Sequence, residues 1–260
     1  MPELPEMHAY RQKIETEVGG AELVESTFTT TKRLNVPADE IASAIDKSRL
    51  NAVERSGKEI LLRFDGGDTL GIHLMITGKF VVGPADQEPP GGRVASFKFD
   101  NGKTLHVRDR KRLAKFKLNP EPATAPDALS AQVDANYLRE CFAKQPRTNV
   151  KTFLMDQDRI GGIGNAYSDE ILWASRIAPQ SKCGKLPDDV VETLAATIHD
   201  VLTGAVDLVG SLEDPLDYRE ARNLSVHDPN RDTSPNGAEI TTATIAGRTA
   251  YFTDEQVMYA

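Results

Sequence analysis

The sequence predicts an α+β protein that has an antiparallel β-sandwich lobe in its first half and a helical lobe in its second half. The first observation is a series of short alternating runs between residues 22 and 118, broken by turn pairs such as Gly66-Gly67 and Asn101-Gly102. The second is a change to helical periodicity after residue 131. The third is a return to strand composition over residues 238–256, which is typical of a terminal β-hairpin.

These patterns divide the chain into four segments: a β-sandwich lobe that begins with a helix (1–118), a linker rich in Pro and Ala (119–131), a helical lobe (132–237) and a hairpin finger (238–260). Helical spacing in the first segment covers Met7 to Glu17. The helices predicted in the second half lie near residues 134–144, 149–157, 165–175 and 187–209. In the hairpin, the turn Ala246-Gly247-Arg248-Thr249 places Arg248 at the tip.

Composition excludes several classes of protein. The 39% hydrophobic and 27% charged residues are ordinary for a globular chain, and the apolar runs are far shorter than the roughly 20 residues of a membrane span. The amino terminus carries acids and prolines instead of the basic residues of a secretory signal. We therefore expect no membrane partner and a cytoplasmic protein, associated with the nucleoid in a bacterium, or a nuclear one in a eukaryote. Cys141 and Cys183 are too few for a disulfide framework and are expected to be packing residues.

The distribution of charge bears on nucleic-acid binding more than the total does. The net charge is −8, which by itself disfavours binding to phosphates. Residues 103–117, however, contain seven basic side chains and a single acid, Asp109. Such a run is typical of a phosphate-binding surface and equally of a solvated strand face, so both interpretations stay open.

The first residues could supply a nucleophile and two carboxylates for catalysis. Removal of Met1 would expose Pro2 as a secondary amine, whose pKa near the α-amino value of roughly 8 leaves a neutral, nucleophilic fraction. Glu3 is adjacent and suited to general acid and base work, while Glu6 follows one helical turn later as a supporting carboxylate. The alternative interpretation is a simple helix start, with proline and acids in the first turn.

Similarity to a known family extends over four segments. They are Met1-Pro2-Glu3-Leu4-Pro5-Glu6, Ser56-Gly57-Lys58-Glu59-Ile60-Leu61-Leu62, His73-Leu74-Met75-Ile76-Thr77-Gly78 and the stretch from Val150 to Leu172 with its Gly161-Gly162-Ile163-Gly164-Asn165 turn. Together they resemble the formamidopyrimidine-DNA glycosylase and endonuclease VIII (Fpg/Nei) family, the opening being closer to Fpg. The resemblance implies a helix-two-turn-helix in which the glycine turn and a helix amino terminus approach a phosphate.

The resemblance also implies roles for individual residues. Pro2 would be the nucleophile, Glu3 the acid and base, Glu6 a supporting carboxylate and Lys58 a catalytic-site lysine carried on a strand. The residues that would hold phosphates beside a lesion are Lys58, His73, Asn165 and Arg248. Those that would fill the gap left by an extruded nucleotide are Ile76, Lys111 and Leu113, with Met75 replacing Ile76 if the strand shifts by one residue.

The chain departs from the family pattern in its finger and in these gap-filling residues. Thr233, Asn236, Thr253 and Gln256 stand where a zinc finger would have cysteines, which predicts a zincless finger and no metal or other cofactor. The segment Asp109-Arg110-Lys111-Arg112-Leu113-Ala114 stands where Asp-Pro-Arg-Arg-Phe-Gly is expected. The wedge, which consists of the gap-filling residues Ile76, Lys111 and Leu113, therefore has no aromatic ring.

The function that the resemblance implies is bifunctional. A DNA glycosylase of base excision repair would remove oxidised bases, formamidopyrimidine and 8-oxoguanine types before pyrimidines, through a Schiff base on Pro2, and an abasic-site (AP) lyase activity would cut the strand by β,δ-elimination. The partner would be damaged double-stranded DNA, bound by a monomer. The alternative is a catalytically weak or inactive family member that binds damaged DNA. Residues 213–231 are the predicted loop over an extruded base.

Overall fold

The computed structural model describes residues 1–84, 91–211 and 224–260. They form two compact units, the first from Met1 to Pro122 and the second beginning at Ala123. No helix within those three ranges has the length and apolar character that crossing a membrane requires.

The first unit contains two helices and eight strands among its described residues. The helices are α1 (Leu4–Val18) and α2 (Ala38–Ile45). The strands are β1 (Leu23–Phe28), β2 (Leu50–Ser56), β3 (Glu59–Phe64), β4 (Thr69–His73), β5 (Lys79–Pro84), β6 (Arg93–Phe99), β7 (Lys103–Arg108) and β8 (Lys115–Leu118).

The eight strands form two antiparallel sheets, in the orders β1-β6-β7-β5 and β2-β3-β4-β8. The predicted turn pairs join neighbouring strands: Gly66-Gly67 lies between β3 and β4, and Asn101-Gly102 between β6 and β7. Gly67 and Gly102 both have positive φ, a conformation that glycine adopts without steric cost. The predicted antiparallel architecture of the first half is thereby confirmed.

One hydrophobic core joins both sheets and helix α1. Phe28 of β1 and Phe116 of β8 meet edge to face at 5.3 Å between ring centroids, and Tyr10 of α1 meets Phe80 of β5 at 5.1 Å. All but Phe28 of these aromatic side chains are almost fully buried. Burial of apolar surface at about 25 cal/mol per Å² is the main force that holds the sheets and the helix together.

Two local predictions for this unit are wrong. Residues 22–118 are not strands throughout, because Ala38–Ile45 forms a helix whose Ile41 and Ile45, four residues apart, are buried on one face. Lys58 does not lie in a strand: Ser56 pairs with Glu59, so Gly57 and Lys58 form the two-residue turn between β2 and β3. Gly57 has φ +55°, which such tight hairpin turns require.

The second unit is helical and ends in a hairpin. Its helices are α3 (Ala135–Lys144), α4 (Val150–Leu154), α5 (Asn165–Ala174) and α6 (Asp188–Gly210), with a short 3-10 turn at Cys183–Lys185. Its strands are β9 (Thr241–Ile245) and β10 (Arg248–Phe252). The four helices lie within a few residues of the predicted positions, and Cys141 and Cys183 are free and buried, in agreement with a packing role.

The hairpin turn is tighter than predicted. Ile245 pairs with Arg248, and only Ala246 and Gly247 form the turn, both with positive φ (49° and 72°). Two positive φ values are the signature of the turn type whose twist matches that of an antiparallel pair. Arg248 is therefore the first residue of β10 and not a residue of the turn itself.

A buried ion pair fixes helix α4 against helix α5. The Nζ atom of Lys151 lies 2.5 Å from Oδ1 of Asp169, and both side chains have 0% of their surface exposed. Lys151 also donates to the Ser168 hydroxyl at 2.9 Å and to the Asn165 carbonyl at 3.1 Å. All the ammonium donors thus have acceptors on the first turn of α5, which offsets the cost of burying the charge.

We expect Lys151→Met to lower the free energy of unfolding by about 3–5 kcal/mol, because the variant leaves the Asp169 carboxylate buried without its cation. Denaturant unfolding followed by the fluorescence of Trp173, the only tryptophan, measures this in the second unit. Lys144→Met, the same change at an exposed position near the end of α3, is the matched control and should shift stability little. Equal stability of the two variants would contradict the assigned role of the pair.

Candidate functional site

The amino terminus is packed into the first unit at the head of helix α1. Residues 2–7 are buried, whereas Met1 is 38% exposed. Glu3 is the N-cap residue and forms a capping box with Glu6: its side chain accepts the Glu6 N–H, and its own N–H donates to Glu6 Oε2 at 2.8 Å. The helix-start interpretation is therefore correct as local structure. It also fixes two buried carboxylates beside Pro2.

Lys58 and His73, predicted from separate motifs, lie close enough to interact electrostatically. His73 is the last residue of β4 and pairs with Glu59 of β3 on one side and Lys115 of β8 on the other. Lys58 is 7% exposed although it occupies a hairpin turn. The result is a local concentration of positive charge at one end of the sheet β2-β3-β4-β8.

The ring of His73 is held in one protonation state and one tautomer. Burial, followed by the cations of Lys58 and Lys115, lowers the pKa of His73 from its ordinary 6.5 to about 4. Its Nδ1 accepts a hydrogen bond from the backbone N–H of Met75 at 3.0 Å. The neutral ring consequently carries its proton on Nε2, where it can donate to an anion without carrying a charge itself.

The three predicted wedge residues lie on two loops of the first unit. Ile76 is 43% exposed, unusual for a large aliphatic side chain, Lys111 is exposed and Leu113 is half-buried. The alternative in which Met75 replaces Ile76 through a strand shift does not apply, because strand β4 ends at His73 and Met75 lies in a turn with φ 57°.

The glycine turn before helix α5 is held by one side chain. Gln157 accepts the N–H of Gly162 at 3.0 Å and donates to the carbonyl of Ile163 at 2.7 Å. Gly162 has φ 109°, which a residue with a Cβ would adopt only under strain. Gly164 is the N-cap of α5 and has no side chain to cap the helix, so this helix end is built from backbone groups.

Asn165 and Arg248 are brought together by the hairpin. The Nδ2 atom of Asn165 donates to the carbonyl of Thr249 at 2.9 Å, and Thr249 follows Arg248 directly in β10. Arg248 is exposed. One hydrogen of the Asn165 amide is used by this bond, and the other remains for a further acceptor.

Two acids of helix α5 hold the segments around His227, and the sequence motifs did not single them out. Glu170 accepts three backbone N–H groups, from Ser225 at 2.7 Å and from Val226 and His227 at 2.9 Å each. Oδ2 of Asp169 accepts from His227 Nδ1 at 2.6 Å and from the Tyr251 N–H at 3.1 Å. Of the predicted loop over an extruded base, residues 213–223 lie outside the described residues.

The four positions that match zinc ligands in the family do not fit a zinc ion. Gln256 uses both ends of its amide in the protein, accepting the Thr253 N–H at 2.9 Å and donating to the Ile177 carbonyl at 2.7 Å. Thr233 and Asn236 supply a hydroxyl and an amide where zinc requires thiolate or imidazole. Within the described ranges, no cluster of three or more His, Cys, Asp or Glu side chains is arranged to hold a metal.

A carboxylate gathers the finger instead. Glu255 accepts hydrogen bonds from side chains of five residues, which lie on or just after helix α5, just before the finger, and in the finger itself: Arg176 (2.6 Å), Asn236 (2.9 Å), Trp173 (3.0 Å), Ser234 (3.0 Å) and Thr253 (3.2 Å). The hydrogen bond from Arg176, followed by those from Asn236 and Trp173, holds the pKa of Glu255 well below its usual range. Sequence patterning gave no signal for this residue because its partners come from three separate stretches.

Comparison with known proteins gives a consistent result. The model of the formamidopyrimidine-DNA glycosylase N-terminal domain matches residues 1–116, and that of the formamidopyrimidine-DNA glycosylase H2TH domain matches residues 124–214. The formamidopyrimidine-DNA glycosylase of Roseiflexus sp. is 32% identical over 230 residues, 85% of this chain and 83% of the relative. That of Idiomarina loihiensis is 31% identical over 219 residues, 81% of this chain and 80% of the relative.

Solved structures of Fpg proteins have the same fold as this chain. A complex between Lactococcus lactis Fpg and DNA containing an abasic site has a TM-score of 0.88 at 22% identity, covering 98% of this chain and 99% of the other. A complex of the same bacterium's Fpg with DNA containing FAPY-dG has a TM-score of 0.89 at the same identity and coverage.

We expect the His73 ring to titrate near pH 4 in the free protein, as measured by its NMR chemical shifts. Lys58→Met should raise this midpoint because it removes a nearby cation, whereas Lys98→Met on a strand of the other sheet should not. The lowered pKa also means that the folded state loses stability as the pH falls from 6.5 towards 4, since the unfolded ring binds the proton more readily. A midpoint near 6.5 would refute the neutral-ring assignment.

We expect Glu255→Gln to lower the melting temperature at neutral pH, because an amide cannot replace an acceptor of several donors. Since the folded pKa of Glu255 lies below its ordinary 4.5, wild-type stability should fall as the pH drops through and below that value. The difference in melting temperature between wild type and Glu255→Gln should therefore narrow at low pH. Glu239→Gln, an exposed position of the same segment, is the matched control. Thermal melting with and without a chelator measures both, and destabilisation by the chelator would contradict a finger held by Glu255.

Proposed function

The chain belongs to the formamidopyrimidine-DNA glycosylase family, and on this premise we propose that it is a bifunctional DNA glycosylase and abasic-site lyase of base excision repair. Its ligand is damaged double-stranded DNA, which it binds as a monomer. The reaction proceeds on the chain's own groups and water, with neither a metal nor an organic cofactor.

The observation that carries this proposal is the packed head of helix α1. Glu3 is 2% exposed and Glu6 is 2% exposed, and the capping box fixes both carboxylates next to Pro2 in the chain. Buried acids are expensive unless they are hydrogen-bonded and are often kept for chemistry. A nucleophile whose neighbours are immobile starts close to its reactive geometry, which lowers the entropy cost of attack.

The first step joins the chain to the sugar. After removal of Met1, the neutral Pro2 nitrogen attacks C1′, the bond from C1′ to the damaged base breaks, and the base leaves with the bonding electrons and takes up a proton. The amine proton is lost, the bond between C1′ and the ring oxygen opens, and that oxygen takes a proton for which Glu3 is the adjacent acid. The nitrogen lone pair then completes an iminium.

The second step cuts the strand. The iminium withdraws electrons from C2′, so a base removes a C2′ proton and the bond from C3′ to its phosphate oxygen breaks. The same electron sink, extended by the new double bond, acidifies the C4′ proton, and removal of that proton expels the phosphate at C5′. Water finally hydrolyses the iminium and regenerates the amine. Glu3, ionised after its first proton transfer, is the base suited to this step, and Glu6 supports its position.

Binding of the flanking phosphates is assigned to two sets of residues. Lys58 and His73 supply one cation and one neutral donor in the first unit, and Asn165 and Arg248 supply an amide and an exposed guanidinium in the second. The backbone-built start of helix α5 adds N–H groups and a favourable dipole for an anion. Ile76, Lys111 and Leu113 then fill the space of the extruded nucleotide.

The damaged bases are proposed to be oxidised purines of the formamidopyrimidine and 8-oxoguanine type. The names of the relatives support formamidopyrimidines, and a Lactococcus lactis Fpg was crystallised with DNA containing FAPY-dG. The competing function is damage binding without catalysis, and the observation that favours it is the wedge, which lacks an aromatic ring at Leu113.

We expect sodium borohydride to trap a covalent adduct between the protein and a duplex containing 8-oxoguanine or an abasic site, because reduction converts the iminium to a stable amine. Pro2→Gly should lose most of the adduct, whereas Pro37→Gly, the same change before helix α2, should not. Gel mobility and mass spectrometry of the adduct, which also reports removal of Met1, provide the measurement. A parallel duplex with an oxidised pyrimidine ranks the lesion preference.

A version with an uncleavable extension before Pro2 controls for the free amine and should form no adduct. Tight binding of the abasic duplex with no adduct at all would favour the damage-binding function. Trapping that persists when the amine is blocked would assign the nucleophile to another residue.

A further inference from the structure

The wedge loops share a single buried carboxylate. Asp109 follows strand β7, is 1% exposed and is the single acid within the basic residues 103–117. Its Oδ2 accepts the backbone N–H groups of Leu113 at 2.6 Å and Ala114 at 2.9 Å. Its Oδ1 accepts the N–H of Lys111 at 3.0 Å and a short hydrogen bond from the hydroxyl of Thr77.

This carboxylate is ionised. Burial alone favours the neutral acid, but the hydrogen bonds from the Thr77 hydroxyl and from the backbone of Ala114, Leu113 and Lys111 outweigh it and hold the pKa of Asp109 below its usual value. A charged acceptor makes stronger hydrogen bonds than a neutral one. The four donors therefore bind tightly to two oxygens that are themselves held in the protein interior.

The two loops need such a clamp because their own backbones are strained. Met75, in the first loop, has φ 57°, and Arg112, in the second, has φ 53°, a region that residues with a Cβ rarely adopt. Each loop has one internal backbone bond across its turn, from Gly78 to Leu74 and from Arg112 to Asp109. Strained conformations persist only where surrounding contacts hold them. Asp109 binds both loops, through the hydroxyl of Thr77 in the first and through backbone N–H groups in the second.

The Asp109 carboxylate binds each candidate wedge residue directly or through a neighbouring residue. Lys111 and Leu113 donate their backbone N–H groups to Asp109, and Thr77 is the residue after Ile76. The carboxylate thereby joins the loop that carries Ile76 to the loop that carries Lys111 and Leu113.

We propose that Asp109 and Thr77 are positioning residues that mount Ile76, Lys111 and Leu113 as one rigid wedge for insertion into stacked DNA. This inference rests on the proposed function, because it concerns how the same protein opens its substrate. A side chain whose mount is already fixed loses less conformational entropy on insertion, so more of its contact energy remains to offset the unstacking of the base.

The decisive comparison is Thr77→Val against Thr77→Ser. Valine matches threonine in shape and removes the hydroxyl that donates to Asp109, whereas serine keeps it. Single-turnover base excision is measured on a duplex with the damaged base, and strand cleavage on a single-stranded oligonucleotide with an abasic site, which has no stack to open. Extrusion is followed separately by the fluorescence of 2-aminopurine placed beside the lesion.

Thr77→Val should slow duplex excision and the 2-aminopurine signal by about tenfold or more, because a hydrogen bond to a charged group is lost. Its cleavage of the single strand should stay within about twofold of wild type, and Thr77→Ser should restore duplex excision to within about threefold. Amide hydrogen exchange should accelerate in Asp109→Asn, either at Lys111 or at Leu113 and Ala114, because the NH2 group that replaces one of the two oxygens cannot accept an N–H.

The proposal would be overturned if Thr77→Val lost equal activity on both substrates, or if it lost no activity on the duplex. Thermal melting of the variant shows whether a loss of activity comes from misfolding. Failure of the proposed function looks different: wild type would give no borohydride adduct and cut neither substrate. The fluorescence comparison still decides in that case, since it reports stack opening without chemistry. A wild-type protein that leaves the 2-aminopurine signal unchanged would refute the wedge as well.

Discussion

Carboxylates that each accept several N–H or O–H donors hold the irregular parts of this protein, and the placement of its candidate site residues depends on them. Asp109 binds the strained loops of the first unit, Glu170 binds three consecutive backbone amides around His227, and Glu255 gathers the finger. Regular helices and strands satisfy their own backbone groups, but loops do not, and an unsatisfied buried amide costs free energy comparable to a lost hydrogen bond. An ionised oxygen is the strongest acceptor available for that purpose.

The same principle explains why the overall charge is misleading. The net charge of −8 counts each acid as though it repelled a phosphate. Asp109, Asp169 and Glu170 are all at least 93% buried and are surrounded by donors, so much of their field is compensated locally. Of the cations proposed to lie against DNA, Arg248 and Lys111 are exposed, whereas Lys58 is buried. A sequence total therefore underestimates how positive the surface of such a protein can be where it binds DNA.

Periodicity and turn residues were sufficient to predict most of the fold, since glycine pairs mark hairpins and a change of period marks helices. They failed at helix α2, a short helix within a strand-rich region, and at Lys58, where residue type could not distinguish the turn from the strand that follows. Family motifs pointed to Lys58 and His73, which do interact. The structural roles of Asp109 and Glu255 were not predicted, because their partners are backbone amides and distant side chains, which leave no periodic trace in a sequence.

The composition of the wedge explains why it would need loops that are held rigidly. Stacking of an aromatic ring on a base is worth about 1–3 kcal/mol, and Leu113 forgoes most of it. On the proposed function, a wedge of Ile76, Lys111 and Leu113 would offset the unstacking of a base mainly by contact and exclusion of water, which depend on fit. Fit is lost when a loop moves by a fraction of an ångström, whereas a stacking ring tolerates sliding. On the proposed function, a chain with the weaker wedge gains more from a buried carboxylate that keeps both loops still.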